Sequence, residues 1–479
     1  MKGMVREQRR AFWRSLVASG VCYTRLSRPR PRKMAVDEMR NTGPYPPGYR
    51  LMRRRVIAIV AAVLVLGFPS DVRAYSVLTH EAIIDAAWDT KIRPLLLARF
   101  PNPTPDELRR AHAFVYGGAI VQDLGYYPHG SHFFSDLVHY VRSGDFIQAL
   151  LRDSQDLDEY AFALGALAHS AADDDGHRLG VNRAVPLLYP HLRKKYGDVV
   201  TYEDDPAIHL KAEFGFDVLQ VAKGRYAPDG YHDFIGFEVA RPLLERAFQD
   251  TYSLPLKSIF DDLDKAIGSY RYSVRSAIPK ATKVAWALKE DEIKRDLPGM
   301  VRKQYLYNLS RASYEQEWGK NYKKPGLGER FLAFLIKLIP KIGRLKTLTF
   351  RTPTPETEKM FMASFNAALA DYEHLLDEQR TGHLDLPNHN FDTGGQTPPG
   401  TYFMADKTYA RLVDRLAEAQ FKLISPELRA DILAYYGDSS APIVTKKNAK
   451  DWARVTKELE ELKSAAPSRR MTPGAGPAN

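Results

Sequence analysis

Two histidine–carboxylate pairs stand four residues apart in this chain, His169-Ser-Ala-Ala-Asp173 and His209-Leu-Lys-Ala-Glu213. On an α-helix that spacing places both side chains on one face, one turn apart, where they reach a single ion. Imidazole nitrogen and carboxylate oxygen are donors that zinc takes, and a catalytic zinc keeps one position open for water. Taken alone, the second pair reads first as a helix-surface ion pair. The first carries more weight because it falls on or beside Leu157–Ala172 (LDEYAFALGALAHSAA), apolar on most faces, where burial of a polar pair demands compensation. Asp123, before Leu-Gly-Tyr-Tyr-Pro, and His132, within Gly130-Ser131-His132-Phe133-Phe134, are further donors, as are His80 and His177. All 13 histidines follow residue 74, and ten lie between His80 and His232, so the chemistry is sought there. His129, His139 and His232 are read as surface or structural residues.

The elements that must position these donors read as helices joined by Pro-, Gly- and Asp-rich loops. Thr79 is a helix cap ahead of Ala82, Ile83, Ile84, Ala86 and Ala87, and Pro105-Asp106-Glu107 opens a helix running to about Gln122. Glu203-Asp204-Asp205-Pro206 is a turn before the helix that carries His209. Further helices are expected at about 205–222, 232–250, 255–276, 354–379, 403–422 and 447–463. No alternating β-branched stretch is long enough for a convincing strand, which predicts an all-α chain. The division expected is a catalytic domain at 75–280, a helical C-terminal region at 281–465 and a disordered tail at 466–479.

The order of the donors, His80, then Asp123 with Ser-His132-Phe nine residues on, then His169-x-x-x-Asp173, His177 and His209-x-x-x-Glu213, closely resembles the zinc-dependent phospholipase C family. The superfamily also includes the fungal single-strand-specific zinc nucleases. The resemblance spans roughly residues 75 to 250 and implies a multi-helix zinc-dependent phospholipase C/nuclease-like domain, followed here by a helical C-terminal extension. It also implies three zinc ions. Asp123, His132, His169 and Asp173 would surround the first, and His177, His209 and Glu213 would bind the second. The backbone amine and carbonyl of a mature N-terminal Tyr75, with His80 and a bridging Asp173, would hold the third. Two positions depart from the pattern. Tyr75 stands where the family usually has tryptophan, and the step from Asp173 to His177 is shorter than usual, so Asp174 or Asp175 are alternatives in the second site.

A terminal amine is available only after cleavage, and the N-terminal segment has the form of a secretory signal peptide at 52–74. Arg53-Arg54-Arg55 precede the apolar run Val56–Phe68, and Val72-Arg73-Ala74 place small residues before a cut near Ala74. The run is short for a membrane-spanning helix. Residues 1–51 are basic and proline-bearing, with Met52 as a plausible true start, and are read as a non-functional upstream extension. Residues 1–74 hold 16 Lys/Arg and 4 Asp/Glu, a net of +12, so the +11 of the whole chain leaves −1 for the rest. The basic isoelectric point is therefore no sign of nucleic-acid binding. Cys22, the one cysteine, lies in the same segment, so the mature chain needs no disulfide. The expected location is periplasmic or secreted.

Zinc ions lower the pKa of a bound water and neutralise a phosphodiester. The resemblance implies attack of metal-bound hydroxide on phosphorus, with Asp123 also acting as general base. The leading reading is phospholipase C-type cleavage of phospholipids to diacylglycerol and a phosphorylated head group. A single-strand nuclease-like phosphodiesterase and a weakly catalytic, envelope lipid-binding protein are the alternatives. Arg330–Phe350 (RFLAFLIKLIPKIGRLKTLTF) interleaves bulky apolar residues with Lys and Arg as an interfacial segment does, although a core helix with snorkelling lysines reads equally well. A phospholipid or membrane surface is thus the expected partner, and the near-neutral mature charge weighs against a polyanion such as nucleic acid. The polar loop Asn388–Gly395 (NHNFDTGG), including Asp392, is expected to line the substrate cleft from the C-terminal region.

Overall fold

The computed structural model describes residues 77–226, 236–296 and 350–465. Tyr75, the signal-peptide segment, residues 1–51, His232, the tail at 466–479 and all of Arg330–Phe350 except Phe350 lie outside the described residues.

Sixteen α-helices are described, several prolonged by π or 3-10 turns, and among the described residues the only bridge is an isolated antiparallel one between Asn390 and Gly395. The all-α expectation is met. Helix α1 (Val77–Ala87) passes through a π turn into α2 (Arg93–Arg99). Then come α3 (Pro105–Gly118), a 3-10 turn (Val121–Tyr126), α4 (His132–Tyr140), α5 (Ser143–Asp153) and α6 (Leu157–Asp175). A π turn (Gly176–Val181) leads from α6 into α7 (Asn182–Leu188) and α8 (Pro190–Tyr196), and α9 is Pro206–Ala222. Helices α10 (Arg241–Tyr252), α11 (Leu263–Tyr272) and α12 (Ile278–Asp296) follow. The last four are α13 (Pro355–Thr381), α14 (Phe403–Glu418), α15 (Pro426–Tyr435) and α16 (Ala449–Ser464).

Their starts are written in local chemistry. Thr104 and Glu107 form a reciprocal capping box at α3, Asp156 caps α6, Asp205 caps α9 ahead of Pro206, and Thr354 caps α13 ahead of Pro355. Thr79 behaves otherwise. Helix α1 is already formed at Val77, and Thr79 lies inside it, donating through Oγ1 to Asp217 Oδ1 at 2.9 Å while Leu78 N donates to Asp217 Oδ2 at 3.1 Å. A carboxylate from α9 therefore caps α1 in place of the local threonine.

Helix α6 is the central element, packed by α3, α5, α13 and α1. Its Ala-rich sequence has no polar face because it has no solvent face: Tyr160 through Ala172 are buried without a break. Each of its large side chains, such as Phe162, Leu164 and Leu167, contributes about 1.5–3 kcal/mol by burial. Helices α3 and α6 approach so closely that a Cβ added at Gly165 would fall 2.1 Å from Val115 O, a contact only glycine permits. Helix α13 lies along the other side of α6, with Tyr372 Oη donating to Leu164 O at 3.0 Å. At its start, fully buried Glu358 receives Lys223 Nζ at 2.5 Å and Arg225 Nη1 at 3.1 Å from the end of α9. The sequence boundary placed at 280 falls within α12, and the described residues on both sides of it belong to one unit. No helix among the described residues is long and apolar enough to cross a membrane.

Candidate metal centre

Helix α6 presents His169 and Asp173 on one face, both fully buried, with His169 Nε2 3.1 Å from Asp173 Oδ2. The other nitrogen of His169, Nδ1, is 2.9 Å from Ala119 O, at the end of α3. Donation from Nδ1–H to that carbonyl leaves the Nε2 lone pair facing the centre, the arrangement usual for a metal-bound imidazole. Helix α4 repeats the device: His139 Nδ1 is 2.7 Å from Ser135 O, and its Nε2 lies 3.4 Å from His169 Nε2. The same His139 Nε2 is 3.5 Å from both Asp123 Oδ1 and Asp173 Oδ2. From α1, His80 stacks on His169 with centroids 4.6 Å apart and places Nε2 3.4 Å from Asp173 Oδ1. Asp173 thus turns one oxygen to His80 and the other to His139 and His169. Two overlapping groups result, His80–His169–Asp173 and Asp123–His139–His169, each with its donor atoms within 4.8 Å of one another. Tetrahedral bonds of about 2.1 Å put ligand atoms roughly 3.4 Å apart, close to the spacings here.

The second group gathers where α9 meets the turn after α6. His209 Nε2 lies 2.7 Å from Asn182 Oδ1, and Asn182 Nδ2 donates to Asp392 O at 2.7 Å. That orientation of the amide makes Asn182 Oδ1 an acceptor, so His209 carries its proton on Nε2. Its Nδ1 then faces Glu213 Oε1 at 2.6 Å. His177 Nε2 stands 3.7 Å from the same Glu213 oxygen, and His177 Nδ1 is 3.3 Å from Asp392 Oδ1. The other oxygen of Asp392 accepts hydrogen bonds from Tyr140 Oη at 2.8 Å and from Tyr402 Oη.

Electrostatics bind the two groups into one centre. Burial pushes Asp123 well above the usual carboxylate range, helped by the charges of Asp173, Glu213 and Asp392. Burial would also raise Asp173, but the imidazoles of His169 and His177, with His139 beside them, hold it well below that range. Burial alone would lower His177; Asp173, Asp392 and Glu213 outweigh it and push the imidazole up to about 9. Asp392 stays low against burial because it faces His177. Asp123 Oδ1 and Glu213 Oε2 are buried with no hydrogen-bond partner. Four converging carboxylates, three of them with an oxygen that has no hydrogen-bond partner, and imidazoles pre-oriented by carbonyls fit divalent zinc in donor type.

Most of the expected donors meet here: His80, Asp123, His169, Asp173, His177, His209 and Glu213. His132 does not. It is exposed at the first residue of α4, its ring edge-on to Tyr126 at 5.6 Å. His139, read from sequence as a spare, occupies the inner position. The two histidines share a helix face but lie seven residues apart, so about 10 Å of helix rise separates them. The signal available in sequence was the surrounding Phe133, Phe134, Leu137 and Val138, all buried, which leave His139 no route to solvent. Asp174 and Asp175, considered for the second site, turn instead to His389 and Arg178. The short step to His177 works because the π turn at Gly176 carries the chain inward. His129 is exposed in a left-handed turn with φ 65°. Asp392, expected in a cleft wall, lies within the centre itself.

An all-α unit enclosing a buried, multi-donor histidine–carboxylate centre defines a protein whose side chains are arranged as groups that could hold a metal ion. Residues 79–262 match the family model for zinc dependent phospholipase C, so that segment is similar to this family. No curated protein and no solved structure matches the chain. The matched segment includes every donor named above except Asp392.

Proposed function

We propose that this chain is an exported zinc-dependent phosphodiester hydrolase of the phospholipase C type, cleaving phospholipids to diacylglycerol and a phosphorylated head group. The observation that carries the reading is the convergence of His80, Asp123, His139, His169 and Asp173 within a segment matched to that family. Zinc, when bound, supplies an activated water and charge neutralisation for a phosphodiester. The chain's own contribution is orientation and proton handling. Ala119 O and Ser135 O fix the tautomers of His169 and His139, and Asp173 holds the two groups at a common carboxylate. Asp123 Oδ1, buried and without a hydrogen-bond partner, is suited to receive a proton from a water in the centre. Tyr75, once it is the N-terminal residue, would complete the His80 side with its backbone amine and carbonyl. Asp217 supports this by holding the start of α1, two residues further on. Members of the family are typically secreted, in keeping with a cut near Ala74.

The test is to produce residues 75–479 with an authentic N-terminus, count bound zinc, and assay phosphatidylcholine vesicles against single-stranded DNA. Zinc near three equivalents with lipid turnover is the expected result. Cleavage of DNA alone would transfer the reading to a nuclease, and zinc with neither activity to an envelope lipid-binding protein.

A further inference from the structure

We infer that Asp392, on a loop beyond the family match, is the positioning carboxylate of His177 and so sets how tightly the His177–His209–Glu213 group holds its ion. The inference rests on the metal-centre reading and extends it to the C-terminal half of the chain.

The geometry of His177 is the starting point. Its Nδ1 faces Asp392 Oδ1 at 3.3 Å, while its Nε2 faces Glu213 Oε1 at 3.7 Å. A carboxylate that accepts from Nδ1–H fixes the tautomer and turn of the ring, and leaves the Nε2 lone pair on the side where Glu213 and His209 gather. For His139 and His169 the equivalent acceptors are backbone carbonyls, Ser135 O and Ala119 O. For His177 it is a side chain brought from the other half of the sequence.

Asp392 is itself held in place. Tyr140 Oη and Tyr402 Oη both donate to Oδ2, so the carboxylate cannot rotate away and Oδ1 stays directed at His177. Its backbone is pinned too: Asp392 N donates to Asn390 Oδ1 at 2.9 Å, and Asp392 O accepts from Asn182 Nδ2 at 2.7 Å. On either side, Phe391 N donates to His139 O at 3.3 Å and Ser143 Oγ donates to His389 O at 2.6 Å. Gly394 adopts φ +68°, where a Cβ would fall 2.8 Å from Asp174 O, so the loop closes tightly over the end of α6. Asn182 links the two effects, because it accepts from His209 and donates to Asp392. One loop thereby orients both imidazoles of the second group.

The test uses the full mature chain loaded with zinc, and separately with cobalt, in wild type, Asp392→Asn and Tyr402→Phe forms. Zinc affinity is read by chelator competition, cobalt coordination by visible absorption, and folding by helical circular dichroism. The expected result for Asp392→Asn is one ion weakened about 10–100-fold with an altered cobalt band, the remaining ions and the helical signal unchanged. Tyr402→Phe weakens the same ion by a smaller factor, and carries the test if Asp392→Asn does not fold. Unchanged affinity in the folded variants, or equal weakening of every ion, overturns the inference. A wild-type chain that binds no zinc overturns the metal-centre reading first and this inference with it.

Discussion

His139 and His169 meet edge to face, ring planes at 86°, with their Nε2 atoms 3.4 Å apart and each Nδ1 on a backbone carbonyl. Two imidazoles whose Nε2 atoms converge at that distance, beside Asp123 and Asp173, form a site suited to a divalent cation. The arrangement makes His139 and His132 unequal, although they lie on the same helix.

His139→Ala is therefore expected to cost at least one zinc equivalent and to lower phosphodiester turnover by 100-fold or more, about 2.7 kcal/mol of barrier. His132→Ala, altering an exposed ring, is expected to stay within about twofold. Zinc counting and kcat/KM on phosphatidylcholine for the two variants check this directly.

Metal removal should be visible in stability as well as in activity. Asp123, Asp173, Glu213 and Asp392 converge in a buried space, and a bare centre leaves their repulsion and the unbonded oxygens Asp123 Oδ1 and Glu213 Oε2 in place. A ligand at 100 times its Kd adds about 2.7 kcal/mol. Chelation should lower Tm by several degrees and zinc alone, without calcium or magnesium, should restore it. An unchanged melting curve after complete zinc removal would contradict the prediction.

Glu203 gives a pH dependence outside the donor set. Burial raises it to about 7, with Asp204 and Asp392 adding to the effect and the backbone donors of Phe403 and Met404 opposing it. Between its ordinary value of 4.5 and about 7, the unfolded chain loses this proton while the folded chain keeps it. The folded state then binds more protons, so stability falls as pH rises through that window. Glu203→Gln removes the titration. In metal-free protein the difference in Tm, variant minus wild type, should grow as the pH is raised across the window and level off above it.

Gly165→Ala tests the helix crossing on which the centre hangs. The added methyl would meet Val115 O at 2.1 Å, so α3 and α6 must separate or the variant must strain. A loss of about 1–3 kcal/mol is expected from overpacking. Because Ala119 O, at the end of α3, orients His169, zinc affinity should fall in parallel. Denaturant unfolding combined with chelator competition reads both effects.

The pairs His169/Asp173 and His209/Glu213 were legible from spacing, because residues four apart on a helix share one face whatever the rest of the fold does. His80, Asp123 and His177 entered the donor set through the resemblance in the order of the residues. The helix opening at Pro105-Asp106-Glu107, the turn at Glu203-Asp204-Asp205-Pro206 before α9 and the buried character of α6 were legible for the same reason as the pairs: each is a local relation between near neighbours. His139 escaped that reasoning because local strings do not say which of two histidines on one helix lies beside α6. Thr79 was taken for a cap because the sequence could not announce that Asp217, far along the chain, would take over that function. Asp392 lay furthest from view. Its role depends on a loop reaching back to a π turn, on two phenols that clamp one oxygen, and on an asparagine shared with His209. Burial and chain topology decide contacts of that length, since only packing around α6 brings such distant segments into one dry space where a carboxylate and an imidazole must find each other.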